Sequence, residues 1–284
     1  MHSLTQLLVR AVRASMAVVH SAQGTHVHSA LKGDGTSVTV TDKKSEAAGY
    51  AVLRDSGFTL NMEERGRIEV VGDGEFEILY DPLDGTRPFA NGGMTSTVIA
   101  ALYNKRRKAV VAVVIGEPST GRIWLAEEGQ GTVTDVQLGI PCSVWDGKLN
   151  PKSTVFIDLY PGFRKEEFQA LSDEECAQIF LSIYGKKSAI AMLGSNGLHH
   201  ALVANGGEGV AGSITTALGG PWDVAGTLLV KEAGGHARAF AAVAGGFEER
   251  DPLDVKSYHF LVTGNSVGTV DALSACLINL RKQP

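Results

Sequence analysis

Two aspartates three positions apart, directly behind an apolar run, constrain the fold of this chain most. The run Phe76-Glu77-Ile78-Leu79-Tyr80 has the composition of a strand, and Asp81-Pro82-Leu83-Asp84-Gly85-Thr86 follows it. Proline fixes φ at about −65° between the two acids, and Gly85 permits a tight turn with a close backbone approach to a ligand. Two carboxylates beside free backbone N–H groups predict a seat for a hard cation and a phosphate.

The composition narrows the class of protein. The chain has 284 residues, 44% of them hydrophobic, which predicts one large domain or two fused halves with an ordinary core. A formal net charge of −5 argues against a nucleic-acid or anionic-membrane surface, because both need a basic field. Three isolated cysteines favour a reducing compartment. Since no N-terminal apolar run is long enough for a membrane span, we expect a cytoplasmic protein.

Periodicity predicts a strand-rich first half. Apolar residues at helical spacing indicate an amphipathic helix over 4–19, and the polar residues 24–36, which include His26 and His28, are typical of a solvated loop. Thr41 or Asp42 suits the N-cap of a helix from Lys43. Strands are predicted over residues 58–62, 76–80, 95–103, 109–115 and 122–126, with a solvated basic turn over 105–108.

The second half alternates strands and helices, as an α/β layer does. Strands are predicted over 154–159, 189–193, 210–214 and 260–263, and helices over 164–184, 198–204, 224–233 and 267–280. Residues 139–152 have little periodicity. We therefore divide the chain into an N-terminal α+β half, 1–145, and a C-terminal α/β half, 146–284.

Further motifs occur together with the first one. They are Met62-Glu63-Glu64, Trp222-Asp223-Val224-Ala225-Gly226 and Glu232-Ala233-Gly234-Gly235. In this combination, the chain resembles the inositol monophosphatase family of the lithium-sensitive, magnesium-dependent phosphatases. The likeness extends to Val40-Thr41-Asp42-Lys43, Glu128-Gly129-Gln130-Gly131 and Leu193-Gly194-Ser195.

The resemblance implies an α/β fold, a five-layered αβαβα sandwich, and a role for each matching residue. The implied metal ligands are Glu63, Asp81, the carbonyl of Leu83, Asp84 and Asp223. The implied catalytic residues are Glu63, Thr86 and Asp42, which orient the attacking water. The implied substrate contacts are Asp84, Gly85, Thr86, Gly194, Ser195, Asn196 and Asp223.

The chemistry of the acids agrees with this set. Four carboxylates and a carbonyl suit Mg²⁺, which prefers oxygen ligands, whereas soft metals would need histidine or cysteine. Two or three such ions can activate water and stabilise the leaving oxygen of a phosphate ester. We expect Mn²⁺ to substitute for Mg²⁺ and Li⁺ to inhibit by replacing it.

The sequence departs from the family pattern on the substrate side. Pro88 stands where the family usually has asparagine, after Arg87, whose contact with substrate or solvent stays open. The stretch 213–218 lacks the glutamate with which inositol-selective members grip a ring hydroxyl, so inositol preference is in doubt.

Four single residues and one repeated tetrapeptide have competing interpretations. Asp42 is either a helix cap or the acid near the attacking water, and Asn196 either contacts substrate or makes an Asx turn. His199 and His200 either line the leaving-group pocket or are packed or solvated, and packing or solvation is favoured. Asp251-Pro252-Leu253-Asp254 repeats the first motif without Gly-Thr, and we interpret it as a surface turn.

The sequence therefore predicts a Mg²⁺-dependent phosphomonoesterase for a small sugar, cyclitol or nucleotide phosphate. Alternatives in the same class are fructose-1,6-bisphosphatase and 3′(2′),5′-bisphosphate nucleotidase. A rival of another class is a non-catalytic binding or assembly protein. Expected partners are a small phosphorylated substrate and a second copy in a homodimer, with neither nucleic acid nor membrane.

Overall fold

The computed structural model describes residues 3–25, 27–33, 37–69, 74–135, 139–158, 171–185, 188–216 and 218–281. The helices in these ranges are α1 Ser3–Ala22, α2 Val40–Leu53, α3 Thr86–Ala90, α4 Asp173–Gly185, α5 Asn196–Asn205, α6 Thr227–Glu232 and α7 Val267–Ile278, with 3₁₀ turns at Pro221–Val224 and Asn279–Arg281. The strands are β1 Ser29–Leu31, β2 Ser37–Thr39, β3 Thr59–Met62, β4 Gly66–Ile68, β5 Phe76–Asp84, β6 Thr97–Asn104, β7 Ala109–Gly116, β8 Ile123–Glu127, β9 Thr132–Asp135, β10 Ile140–Pro141, β11 Thr154–Asp158, β12 Ala189–Ala191, β13 Val210–Thr215, β14 His236–Val243, β15 Gly246–Arg250 and β16 Phe260–Gly264.

Two large sheets carry the fold. The eight-stranded sheet has the order β10-β9-β8-β7-β6-β5-β3-β4 and is antiparallel except between β3 and β5. The six-stranded sheet has the order β12-β11-β13-β16-β14-β15, with parallel pairs only where β11 meets β12 and β13. A separate two-stranded hairpin joins β1 to β2.

Helices cover both faces of each sheet. Helix α1 buries Leu8 and Val12 against one face of the eight-stranded sheet, and α2 lies beside α1. Helices α5 and α6 fill the space between the two sheets, where Leu198 and Leu229 meet side chains of both. Helices α4 and α7 cover the outer face of the six-stranded sheet. These layers confirm the αβαβα sandwich. Strands β6, β7 and β8 are continuous apolar runs because both of their faces are buried.

Strand β5 corrects the first expectation about the acidic motif. It continues through Pro82 to Asp84, so the two aspartates lie within the strand instead of after it. The register with β6 shifts between Asp81 and Asp84, and this irregularity accommodates a proline that cannot donate to the ladder. Gly85 then has φ +88° and precedes α3, as a tight turn requires.

The start of α2 was also predicted wrongly. The N-cap is Thr39, not Thr41 or Asp42, and the helix begins at Val40. The Thr39 hydroxyl accepts from the backbone N–H groups of Thr41 and Asp42, while Asp42 Oδ2 accepts from Thr39 N at 2.8 Å. This reciprocal capping box satisfies orphan N–H groups one turn earlier than the residue types alone suggested.

Further corrections concern hairpins and helix ends. The predicted loop over 24–36 contains β1, and the connection after Glu64 contains β4. His26, residue 159 of the predicted strand 154–159 and residues 164–170 of the predicted helix 164–184 lie outside the described residues. We expected strands and helices to alternate in the second half, but β14 and β15 follow each other as a hairpin. The alanine-rich β14 shows no clean period of two, so its sequence does not indicate a strand. The predicted helix 224–233 is a 3₁₀ turn followed by α6. The two-half division at residue 145 stays a prediction.

Candidate metal centre and active site

Three buried carboxylates converge where β5 meets the 3₁₀ turn. Asp81 and Asp84 come from β5, and Asp223 comes from the turn Pro221–Val224. Each offers one oxygen, and these oxygens lie within 4.8 Å of one another. All three side chains are buried. The register shift in β5 lets aspartates three positions apart face the same pocket.

Asp84 is held by the first turn of α5. Its Oδ2 accepts from Ser195 Oγ at 2.6 Å, from Thr97 Oγ1 at 2.8 Å and from Gly197 N at 2.8 Å. Its Oδ1 accepts only a longer bond, 3.2 Å, from Asn196 N. The helix N-terminus stabilises the negative charge, and the carboxylate is oriented so that one oxygen stays available.

Two glycines allow the backbone at the start of α5 to approach Asp84 closely. A Cβ on Gly197 would lie 2.5 Å from Thr97 Oγ1 and 3.0 Å from Asp84 Oδ2. A Cβ on Gly85 would lie 3.0 Å from the carbonyl oxygen of Gly194. The β5–α3 turn and the turn before α5 therefore meet at Asp84 because both carry glycine.

Asp223 is oriented by its own turn. Its Oδ2 accepts from the backbone N–H of Gly220 at 3.1 Å and from that of Gly219. The 3₁₀ turn packs against both β5 and β6. The other oxygen of Asp223 is thus directed by the backbone and not by a flexible side chain.

Glu63 lies beside this cluster and faces a lysine. Lys32, in the loop after β1, places Nζ 2.7 Å from Glu63 Oε1 and also pairs with Glu64. Glu63 Oε2 is buried without a hydrogen-bond partner in the described structure. Glu46 fixes this turn, since its Oε2 accepts from Glu64 N at 2.7 Å and from Arg65 N at 3.2 Å.

Thr86 and Asp42 form a second polar pair near the carboxylates. Thr86 Oγ1 lies 2.7 Å from Asp42 Oδ1 and 3.1 Å from the carbonyl oxygen of Leu83. A hydroxyl has one proton, so it donates to one of these acceptors at a time. Asp42 closes the capping box of α2 through Oδ2 and contacts Thr86 through Oδ1, while its role near the attacking water stays a prediction.

The buried acids of the pocket repel one another. Burial, with neighbouring carboxylates, raises the pKa of Asp81 and of Asp223 well above the usual range. Burial also raises the pKa of Glu63 to about 6, although Lys32 opposes this shift. Burial raises the pKa of Asp84 against the hydrogen bonds of α5. A bound cation would reverse these shifts.

The donor set fits a hard divalent cation. The pocket offers carboxylate oxygens from Asp81, Asp84 and Asp223, the carbonyl of Leu83, and the orphaned Oε2 of Glu63. All of these are oxygen donors, which suit Mg²⁺ or Mn²⁺ better than soft metals. The sequence-predicted ligands are therefore gathered around one pocket, and their roles stay predictions.

The other singled-out residues divide into two groups. His199 and His200 are buried in α5; His199 accepts from Leu193 N at 3.2 Å and stacks on Phe156, which confirms packing for both. Asp251 and Asp254 lie in the surface turn expected for the repeated tetrapeptide, where Asp254 accepts from Tyr103 at 2.6 Å.

Asn196 is buried at the start of α5, and its expected contact with substrate stays a prediction. Its side-chain oxygen accepts from Thr215 Oγ1 on β13, at 3.3 Å. Sequence reasoning overlooked Lys32, Glu46, Thr97 and Gly197 as parts of the site. Only the glycine carried a signal, since glycine near a helix start indicates a close approach.

Comparisons with known proteins show the family and the fold. The family profile described as "Inositol monophosphatase family" matches residues 1–274. The chain is 29% identical over 244 residues to "Phosphatase IMPL1, chloroplastic" of Arabidopsis thaliana, covering 82% of this chain and 61% of that protein. It is 27% identical over 280 residues to the "Nus factor SuhB" of Vibrio cholerae, covering 94% and 98%. The chain thus spans less than two thirds of the plant protein.

Solved structures share the fold. The extragenic suppressor protein suhB from Bartonella henselae superposes with a TM-score of 0.77 at 23% identity, covering 97% of this chain and 98% of that one. An inositol monophosphatase from Anabaena gives 0.73 at 22% identity, covering 96% of each chain. Because the family profile spans nearly the whole sequence, the chain belongs to the inositol monophosphatase family.

Proposed function

We propose that the protein is a Mg²⁺-dependent phosphomonoesterase that hydrolyses a small sugar, cyclitol or related phosphate. Family membership supports a phosphatase, and the metal and the substrate class are the proposal. The observation that carries it is the convergence of Asp81, Asp84 and Asp223 within 4.8 Å in a buried pocket. Structural acids are rarely gathered so closely, because burying like charges is costly without a cation.

Five residues would hold the metal: Glu63, Asp81, Leu83 through its carbonyl, Asp84 and Asp223. Bound Mg²⁺ would neutralise phosphate charge, lower the pKa of a coordinated water and stabilise the leaving oxygen. The ammonium group of Lys32 forms an ion pair with Glu63. We expect Lys32 to release Glu63 and keep Glu64 when a metal binds, because it already pairs with both carboxylates. Mn²⁺ is the expected substitute and Li⁺ the expected inhibitor.

Thr86 and Asp42 would position the attacking water. With its proton directed to Asp42, the Thr86 hydroxyl oxygen can accept a hydrogen bond from water. This arrangement also leaves the Leu83 carbonyl free for the cation. The oxygen of water bonds to phosphorus as the ester P–O bond breaks; one proton of the water passes to the leaving oxygen, which departs as the alcohol, and the other remains on the phosphate.

The backbone N–H groups of Gly85 and Thr86 would bind the phosphate oxygens. Ser195 and the first N–H groups of α5 already bind Asp84. Their contribution to substrate binding therefore acts through the position of Asp84. The stretch 213–218 lacks the acid expected of inositol-selective members, and Thr215 in it donates to the neutral Asn196, so we place hydroxyl-bearing substrates other than inositol phosphates within the expected range.

The decisive experiment compares Asp84→Asn with Asp254→Asn. Both change the last aspartate of an Asp-Pro-Leu-Asp tetrapeptide, but only Asp84 is in the pocket. We expect Mg²⁺-dependent phosphate release from a monoester panel to be lost in Asp84→Asn and kept in Asp254→Asn. Asp84→Asn should stay folded, because losing one charge relieves repulsion in the pocket while Oδ hydrogen bonds to α5 can persist. Near-normal turnover in Asp84→Asn would remove the metal assignment.

The panel also separates the alternatives. Fructose-1,6-bisphosphate and a 3′(2′),5′-nucleoside bisphosphate test the two other phosphatase activities. The relatives described as "Nus factor SuhB" give the non-catalytic binding or assembly hypothesis its support. A folded protein that binds Mg²⁺ but releases no phosphate from any substrate would favour that hypothesis. The cytoplasmic location stays an expectation; across the described ranges, no helix combines the length and apolarity needed to cross a bilayer.

A further inference from the structure

Helix α2 presents one buried face to the segments that carry the candidate metal ligands. Asp42, Ser45, Glu46 and Gly49 occupy positions i, i+3, i+4 and i+7, which lie on one side of a helix, and all four are buried. Asp42 contacts Thr86 at the start of α3, and Glu46 accepts from the backbone of the turn after β3. The remaining two residues, Ser45 and Gly49, meet β5.

Ser45 binds the backbone of the acidic motif. Its side chain is fully buried, and its hydroxyl donates to the carbonyl oxygen of Pro82 at 2.7 Å. A serine inside a helix usually bonds to its own helix or faces water, so a bond to another element needs a local reason. The reason is the irregularity of β5, whose register with β6 shifts between Asp81 and Asp84 and skips residues 82 and 83. The Pro82 carbonyl therefore finds its donor on α2.

The same peptide group also binds Asp81. The carbonyl of Pro82 and the N–H of Leu83 belong to one planar unit, and Leu83 N donates to Asp81 Oδ1 at 2.9 Å. A rotation of this plane would disturb both hydrogen bonds at once, and hydrogen bonds in series across an amide strengthen each other. Ser45 thus fixes the plane on one side, and the plane orients the Asp81 carboxylate on the other.

A second connection ties α2 to the residue before Asp81. Ser15 of α1 donates to the backbone carbonyl of Ser45 at 2.5 Å, and its Oγ lies 2.6 Å from the hydroxyl oxygen of Tyr80. With Ser15 donating to Ser45, this short contact requires Tyr80 to donate to Ser15. Gly49 leaves room for the arrangement, because a Cβ there would overlap the Tyr80 hydroxyl. Strand β5 is therefore held by buried hydrogen bonds on both sides of Asp81.

We propose that Ser45 is a positioning residue of the metal centre, which sets the orientation of the Asp81 carboxylate through the Pro82–Leu83 peptide. This inference rests on the proposed function, because it takes Asp81 as a metal ligand. A carboxylate held in one orientation loses less conformational freedom when the cation binds. Removing a direct partner of a metal ligand weakens metal binding about 10–100-fold. Ser45 acts one peptide further away, so we expect the lower end of that range.

Titration calorimetry with Mg²⁺ on the full chain tests this role. We expect Ser45→Ala to raise the dissociation constant for Mg²⁺ about tenfold, and Ser45→Thr, which keeps the hydroxyl, to restore most of the affinity. Ser274→Ala is the matched control and should bind like the wild type. Ser274 is also a fully buried serine in a helix, α7, but its hydroxyl has no hydrogen-bond partner in the described structure. An unchanged dissociation constant in Ser45→Ala, or the same loss in Ser45→Thr, would overturn the proposal.

Amide hydrogen exchange of the metal-free proteins, followed by NMR, separates positioning from a general loss of stability. Ser45→Ala should speed exchange of the Leu83 N–H several-fold more than exchange of the Leu79 N–H, because only the plane of residues 82 and 83 loses a partner. Equal acceleration at both amides would mean that Ser45 only stabilises the fold, which would overturn the proposal. If Ser45→Ala does not fold, Ser45→Cys keeps the size, replaces the hydroxyl by a weaker donor, and is judged by the same comparisons.

Asp84→Asn separates this proposal from the function on which it rests. Equal Mg²⁺ binding by Asp84→Asn and the wild type would show that the metal centre is wrong, and the role of Ser45 would fall with it. Loss of binding in Asp84→Asn with wild-type affinity in Ser45→Ala would overturn the role of Ser45 alone. We expect loss of binding in Asp84→Asn together with about tenfold weaker binding in Ser45→Ala.

Discussion

Thr97 illustrates how one hydroxyl can set the orientation of a carboxylate that is a candidate metal ligand, Asp84. It donates to Asp84 Oδ2 at 2.8 Å and lies 3.1 Å from Ser195 Oγ. Thr97→Val keeps the shape and removes the donor. A hydrogen bond to a charged group is worth about 1.5–3 kcal/mol, so we expect Mg²⁺ affinity to fall about tenfold or more. Thr97→Ser should preserve it, and titration calorimetry with Mg²⁺ measures both; equal affinities in the two variants would show that Thr97 only fills space.

His200 should make stability depend on pH. It is fully buried, and neither ring nitrogen has a hydrogen-bond partner in the described structure. Burial lowers the pKa of His200 to about 4, against about 6.5 in an unfolded chain. At a pH between the folded and the unfolded pKa, unfolding therefore takes up a proton. The stability due to neutral His200 is complete above about pH 6.5 and is lost as the pH falls towards 4.

His200→Leu removes this contribution. Between pH 7 and 5 we expect the unfolding free energy of the wild type to drop relative to the variant, by at most about 1.4 kcal/mol per pH unit. Urea titrations at several pH values measure how steeply the unfolding free energy of each protein changes with pH. A packing defect against Gly226 would lower the unfolding free energy equally at every pH, so it would not change this slope. His236→Leu, at an exposed site, is the control and should run parallel to the wild type. Parallel behaviour of His200→Leu would contradict the prediction.

Single residues were predictable from sequence where the chemistry is local. Asp81, Asp84 and Gly85 sit in one hexapeptide with a strand before it, so their convergence on a ligand could be inferred. Thr97 and Lys32 could not, because they reach the pocket from other elements through tertiary packing. A threonine in a strand and a lysine in a loop have many other uses.

The first turn of α5 is the element on which the pocket depends. Gly197 is its second residue, and a Cβ there would lie 2.5 Å from Thr97 Oγ1 and 2.9 Å from Ile99 Cδ1. At a solvent-exposed position inside a helix, a Gly→Ala substitution raises the free energy of unfolding by about 1 kcal/mol. At Gly197 we expect the opposite sign: the helix start must move away from Asp84, with lower stability and weaker Mg²⁺ binding.

Gly268 provides the matched control. It is also the second residue of a helix, α7, and a Cβ there meets nothing within 4 Å. Gly268→Ala should raise the unfolding free energy by up to about 1 kcal/mol and leave Mg²⁺ binding unchanged. Chemical unfolding and calorimetry on the pair measure both effects. A stabilised Gly197→Ala with normal Mg²⁺ affinity would show that the contact with Asp84 is dispensable.

Elements were predicted well where burial dictates the sequence. β6 and β7 are buried on both faces, and their long apolar runs indicated strands with nearly correct bounds. α2 was started too late because its cap is a reciprocal pair, Thr39 with Asp42, set by geometry. The β14–β15 hairpin was missed because β14 buries three consecutive residues, 239–241, and the edge strand β15 contains no buried residue, so neither strand shows a period of two.

At the scale of the whole molecule, the pocket joins the layers of the sandwich. Asp84 comes from the eight-stranded sheet, three of its donors come from the start of α5 between the sheets, and Asp223 comes from the turn before α6. The two large sheets are drawn from residues 59–141 and 154–264. A cation held by ligands from both parts would add a link between them, and the sequence could not show how the two parts pack.

Mg²⁺ should therefore stabilise the whole chain, and protons should oppose it. A ligand that binds only the folded state raises stability by mass action. Burial and mutual repulsion raise the pKa of Asp81 and Asp223, and the pKa of Glu63 is about 6. Protonated carboxyls do not bind metal. The Mg²⁺-induced rise in Tm should thus be large at pH 8 and shrink as the pH falls through about 6.

Thermal unfolding with and without millimolar Mg²⁺ across this pH range measures the effect, at ionic strength matched with NaCl because salt alone screens the repulsion. Asp84→Asn should abolish the rise at every pH, while Asp254→Asn should keep it. The wild type should unfold in one transition whose Tm rises with Mg²⁺, because the candidate metal ligands lie both on β5 and on the turn before α6. A rise that is equal at pH 8 and pH 5.5, or equal in NaCl, would mean that the carboxylate pocket is not where Mg²⁺ acts.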